Sequence, residues 1–109
     1  MDFDDLRAYA LSLPEVTEEP HHTYGSFRVK GKIFATLPPG EEFVHIFVDD
    51  ERRALALAMN PDAYEDLKWG KRIVGLRVLL SNADLVDVQD LLECAWRLKA
   101  PKDLLKRLD

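Results

Sequence analysis

The side chains able to do chemistry in this sequence are few: three histidines, one cysteine, two acidic clusters and a run of cations between apolar stretches. His21 and His22 are adjacent, so their side chains diverge, and His45 alternates with Phe43 and Phe47 along a strand-like segment. No second cysteine and no His-x-x-x-His spacing accompanies them. A zinc site needs three or four such donors at matched spacing, which these lack, so no metal and no cofactor is expected. Cys94 sits between Leu92 and Ala95 with no base or helix start to activate it, and reads as a small core residue. Glu41-Glu42 and Asp49-Asp50-Glu51 do not form a calcium loop, and Asp50 and Glu51 suit the first turn of a helix. The five glycines are scattered and build no phosphate loop, and Ser12, Ser26 and Ser81 lack a nucleophile elbow. An enzyme is not expected.

The cations carry more information. Thr23 to Leu37 (TYGSFRVKGKIFATL) holds Arg28, Lys30 and Lys32 without one acid, in a chain with 20 Asp+Glu against 15 Lys+Arg and a net charge of −5. Charge is segregated along the chain. Residues 1–19 hold six acids and one base, residues 67–80 hold four bases and no acid, and residues 94–108 hold five bases and one acid. Clustered cations neutralise phosphates, and aromatic rings between them stack on unpaired bases. Trp69, flanked by Lys68 and Lys71, is the best ring for this, while Phe27, Phe34 and Trp96 read as core. The nucleic-acid-binding candidates are therefore Arg28, Lys30, Lys32, Trp69, Lys71, Arg72, Arg77 and Lys102. None is matched with an Asn or Gln for base reading, so contacts would be independent of sequence. The acidic balance argues against a dedicated, high-affinity binder.

These residues need elements to position them. Asp2 caps a helix through Leu13, on the spacing of Phe3, Leu6, Ala10 and Leu13, and Pro14 stops it. Residues 15–22 read as a loop. Strands follow at 26–29 and 32–37 around a Lys30-Gly31 turn, with Pro38-Pro39-Gly40 leading to a buried strand at 43–48. Asp49 or Asp50 caps a helix to Met59 with a wide apolar face. Asn60-Pro61 opens a short helical turn from Asp62 to about Leu67, although an extra short strand near 68–70 is allowed. Trp69-Gly70-Lys71-Arg72 is a tight connection into a strand at 73–79. Asp87 starts the longest helix, over 87–98, with Val88, Leu91, Leu92, Ala95 and Leu98 as its stripe. A final helix follows Ala100-Pro101. The order α-β-β-β-α-β-α specifies one α+β domain over 1–109, an antiparallel sheet with helices on one face. Side-chain alternation should set Arg28, Lys30, Lys32 and Arg77 together on the uncovered face, opposite Phe27 and Val29.

A wider signature runs through Leu13-Pro14, Glu18-Glu19-Pro20 is close behind it, and Phe27-Arg28-Val29-x-Gly31-Lys32-Ile33-Phe34-Ala35 follows. It resumes at Trp69-Gly70-Lys71-Arg72 and closes at Ala95-Trp96-Arg97-Leu98-x-Ala100-Pro101-Lys102. In this the chain resembles the MmcQ/YjbR family of small bacterial proteins. The resemblance implies a fold similar to the bacterial frataxin and secretion-chaperone type, and a DNA-binding label resting on a double-wing arrangement of hairpins. It implies no catalytic residue.

The leading expectation is a weak, sequence-independent DNA-binding protein. The rival is a chaperone-like protein-interaction module, in which an open sheet face or edge receives a segment of another protein. A third reading, a frataxin-like iron carrier, would use the acidic segments Asp2–Asp5 and Glu15–Glu19. The acidic N-terminus is no signal peptide and no apolar run approaches the roughly 20 residues that span a bilayer, so a cytoplasmic protein without membrane partners is expected.

Overall fold

The computed structural model describes residues 1–108. Helix α1 (Phe3–Ser12) begins where the Asp2 carboxylate accepts the Asp5 N–H at 2.8 Å. Four strands follow: β1 (Val16–His21), β2 (Tyr24–Val29), β3 (Lys32–Leu37) and β4 (Phe43–Ile46). After α2 (Asp50–Met59), capped by Asp49, come β5 (Tyr64–Trp69) and β6 (Arg72–Leu79). A short 3-10 turn (Leu80–Asn82), α3 (Leu85–Lys99) and α4 (Lys102–Leu108) complete the fold. All strand pairs are antiparallel, in the order β1-β2-β3-β4-β6-β5. This is the expected α+β class, with two strands more than expected.

One face of the sheet is apolar and holds every helix packed on it. Phe27, Ala35, Ile46 and Leu76 are in register across β2, β3, β4 and β6, and Val44 and Val78 align with Tyr64 of β5. They pack against Leu6, Ala10, Val88, Leu92 and Ala95. A bulge makes Phe34 the extra residue of β3, so Phe34 and Ala35 are both buried and Phe34 stacks on Phe27 at 6.4 Å. Helix α2 lies on this same side, since its Arg53 reaches Asp66 at 2.7 Å and Asp66 shares a face with Leu76.

Several boundaries differ from the expectation. Residues 16–21 form an edge strand rather than a loop, and its mostly exposed side chains gave no apolar periodicity. The helical turn expected at 62–67 is instead most of β5, because Tyr64 and Leu67 are buried on opposite faces of one strand and so mimic helical spacing. The 43–48 strand stops at Ile46. Helix α3 starts at Leu85, before Asp87, with Asp84 as cap residue. Leu98 is exposed, and Trp96 takes the core position, its indole N–H donating to the Pro14 carbonyl at 3.0 Å. Helix α2 buries no residue fully, so its wide apolar face is largely uncovered.

Candidate nucleic-acid interface

The two cationic hairpins are built by tight turns. Lys30 and Gly31 both adopt positive φ, 51° and 82°, as a two-residue hairpin turn of the primed type requires, and Gly70 has φ 64° in the second turn. In an antiparallel sheet of this order, β2, β4 and β5 run one way and β3 and β6 the other. The Lys30-Gly31 turn ends β2 and the Gly70-Lys71 turn ends β5. Both tips therefore project from the same end of the sheet.

The space between them is open because β4 is short. It is registered with β3 at Ala35↔Ile46 and Thr36↔His45, with one last bond from the Phe47 N–H to the Phe34 carbonyl at 3.2 Å, and with β6 from Phe43↔Leu79 to Ile46↔Leu76. Beyond Ile46 no strand joins the hairpins. The chain leaves β4 across Gly75, where an added Cβ would collide with the Ile46 carbonyl and touch the Phe47 Cα. The two hairpins continue past this point as separate wings.

A cleft of about 410 Å³ opens there, with Ile33 on one wing, Trp69, Arg72 and Ile73 on the other, and Phe47 and Lys99 between. Trp69 is 58% exposed and meets Phe47 edge to face at 5.2 Å. A second cleft of about 350 Å³ adjoins it, sharing His21, Thr36 and Trp69, and takes in His22, Tyr24 and His45. In a flat sheet five inter-strand steps would hold β1 and β5 about 24 Å apart. Here the end of β1 and the end of β5 line one cleft, so the sheet is strongly curled on its uncovered side. Among the described residues, no acidic side chain lines either cleft.

A polar row crosses this side of the sheet, one residue from each strand: Glu19, Ser26, Thr36, His45, Arg77 and Glu65. Ser26, Thr36 and His45 are buried in it. The Ser26 hydroxyl donates to the Glu19 carbonyl at 2.7 Å and accepts from Arg28 at 3.1 Å. His45 has a buried Nε2 without a hydrogen-bond partner. Burial first, and the Arg77 guanidinium second, lower its pKa from the usual imidazole value, which keeps the ring neutral.

The continuous basic face expected from alternation does not form. Arg28 is on the uncovered side, but its guanidinium is held by Ser26 and the Pro20 carbonyl. Lys30 lies in the turn and pairs with Glu15 at 3.4 Å. Lys32 is registered with Val29 across the two-residue turn and so shares its face, the helix side, because alternation along one strand does not carry through the turn. Arg77 lies on the uncovered side, bonded to Glu65 at 2.8 Å and stacked on Phe43 at 3.6 Å. Lys71 is exposed at a wing tip and Arg72 is registered with Trp69. Lys102 opens α4, and lines neither cleft. Sequence reading missed Lys99 and left Lys68 off the site. Lys68 had a signal, its place beside Trp69, whereas Lys99 had none because only folding brings the end of α3 to the wings.

The histidines also depart from expectation. His21, His22 and His45 line one cleft instead of staying apart, the first two with ring centroids 4.7 Å apart. Among the described residues no three His, Cys, Asp or Glu side chains group so as to hold a metal ion. The N-terminal acids have other work: Asp2 caps α1, and Glu18 accepts two bonds from Arg7 at 2.9 and 3.2 Å. Cys94 is half-buried in α3, and burial pushes its thiol pKa up.

Residues 11–98 match the YjbR family model. The chain belongs to the YjbR family. This YjbR-family chain is similar in fold to a crystal structure of Deinococcus radiodurans protein DR2400, described by the domain DUF419. The TM-score is 0.76 at 21% identity, covering 94% of this chain and 80% of that one. At that identity the likeness concerns the fold. No curated protein matches the chain. No helix among the described residues is long and apolar enough to cross a membrane.

Proposed function

We propose that this protein is a binding protein rather than a catalyst, and that it holds nucleic acid weakly and independently of sequence between its two wings. The observation that supports this reading is that, among the described residues, no acid lines the two clefts of a chain rich in Asp and Glu. Arg72, Lys68 and Lys99 supply phosphate contacts, with Lys71 at the wing tip. Trp69 and Tyr24, 58% and 37% exposed, supply faces for unpaired bases. This combination favours a single strand over a duplex. Arg28, Lys30 and Arg77 contribute less than their charges suggest, because each is already engaged within the protein.

The test is a fluorescence anisotropy titration of a labelled twenty-nucleotide oligothymidine and its duplex counterpart at low and moderate salt. Binding to the single strand should fall steeply with salt and weaken about tenfold in Trp69→Ala, the scale of one lost base stack. No binding to either oligonucleotide at low ionic strength would remove the proposal. Binding insensitive to salt, or unchanged in Trp69→Ala and Arg72→Ala, would relocate it.

A further inference from the structure

A second site lies on the helix side, where the charge pattern is reversed. Helix α2 carries Leu55 and Met59 one turn apart on its surface, 54% and 71% exposed, and buries no residue fully. Between it and α3 runs a groove of about 410 Å³, floored by Tyr64 and Leu91 and rimmed by Asp84, Asp87 and Asp90, with Arg52 on the α2 side. None of the three aspartates has an ion-pair partner within 4.0 Å among the described residues. Tyr64 is 5% exposed, yet its hydroxyl makes no hydrogen bond. A buried hydroxyl is costly to leave unsatisfied, so one in the lining of an open groove points to an occupant that would accept its hydrogen bond. Burial, reinforced by Asp87 and Asp84, pushes its pKa to about 12, so it stays a donor.

We propose that this groove docks a basic amphipathic helix from a partner protein. The charge complementarity selects the occupant. Leu55, Met59 and Leu91 offer the apolar floor on which anchors at i, i+3 and i+4 seat, and the aspartates meet Lys or Arg along the edge of the partner helix. The ten residues of α2 extend about 15 Å, enough for roughly three turns of a docked helix. An acidic or neutral helix would leave the three carboxylates desolvated and unpaired, which the site penalises. The Tyr64 hydroxyl donates to a carbonyl or side-chain oxygen of the docked segment. This site shares no lining residue with the wing clefts, and stands whether or not they bind nucleic acid.

The probe is an eighteen-residue synthetic peptide of Leu and Lys with Leu at helical spacing, and its counterpart with Glu replacing every Lys. Binding is followed by calorimetry and by amide chemical shifts of the full chain at 0.15 M salt. The Lys peptide should bind with one site, shifting resonances of 52–60 and 84–91, and the Glu peptide should not. Leu55→Ser/Met59→Ser, at positions exposed enough to spare the fold, should weaken binding at least about tenfold, the scale of two lost apolar contacts. Asp87→Asn/Asp90→Asn should weaken it about fivefold, and Tyr64→Phe about threefold. No binding of the Lys peptide overturns the proposal. So does equal binding by Leu55→Ser/Met59→Ser, which would mean attraction by net charge alone, and so do shifts confined to the wings.

Discussion

The carbonyl oxygen of Ile46 occupies the space that a Cβ on Gly75 would need. This contact lets β4 leave the sheet and so separates the two hairpins. Even the smallest substitution, Gly75→Ala, therefore forces backbone apart in the middle of the sheet. The expected cost is roughly 2–3 kcal/mol, in the range of overpacked sites. Urea unfolding of the variant checks it, and a midpoint unchanged from the parent would contradict this account of the β4 exit.

Glu65 offers the opposite kind of test. Its ion pair with Arg77 is largely exposed, so Glu65→Gln should change stability by no more than about 0.5 kcal/mol. It also frees a cation beside the clefts. If the wings bind nucleic acid by neutralising phosphates, oligonucleotide affinity should rise about threefold in this variant, with a steeper salt dependence. Unchanged affinity would confine binding to the wing tips and the Trp69 cleft.

His45 makes a pH prediction. Its folded pKa lies below the unfolded value of about 6.5, so the unfolded chain binds a proton that the native state resists. Stability should consequently fall as pH drops from about 6.5 towards the folded pKa, and be indifferent to this group above that window. Comparing unfolding midpoints at pH 5 and pH 7.5 checks it: the loss at pH 5 should be smaller in His45→Gln than in the parent. An NMR titration of the His45 ring should give a midpoint below 6.5.

The fold class, the first cationic hairpin, the turn and second strand of the other, and most of the core were legible in the residues, because Gly31, Gly70 and the apolar runs speak through local geometry. What failed was local periodicity at strands whose environment is set from afar. Val16–His21 is an edge strand with little apolar contact, and so looked like a loop. Tyr64 and Leu67 face opposite sides of β5, and so looked like a helix. The candidate site was half legible. Trp69, Lys71 and Arg72 stand where turn chemistry put them, but Lys32 lies on the helix side because a two-residue turn sets it directly opposite Val29, and alternation does not carry through a turn. Pairing with Glu15 and Glu65 follows from strand register: Glu65 stands opposite Arg77 in the β5-β6 hairpin, and Glu15 precedes Val16, which stands opposite Val29.

The two rims of the sheet bear on how copies of this protein behave at high concentration. β1 presents Glu18 and Glu19 followed by Pro20, which has no N–H to offer a new neighbour, and β5 presents Glu65, Asp66 and Lys68. A strand added at either rim would meet charge along its length, and at β1 a gap in the hydrogen-bonding ladder. Such rims resist edge-to-edge polymerisation and fibril growth, the common failing of an exposed sheet. They equally discourage a guest that binds by extending the sheet. A protein guest is thus turned away from the rims and towards a surface where side chains, not backbone amides, make the contact.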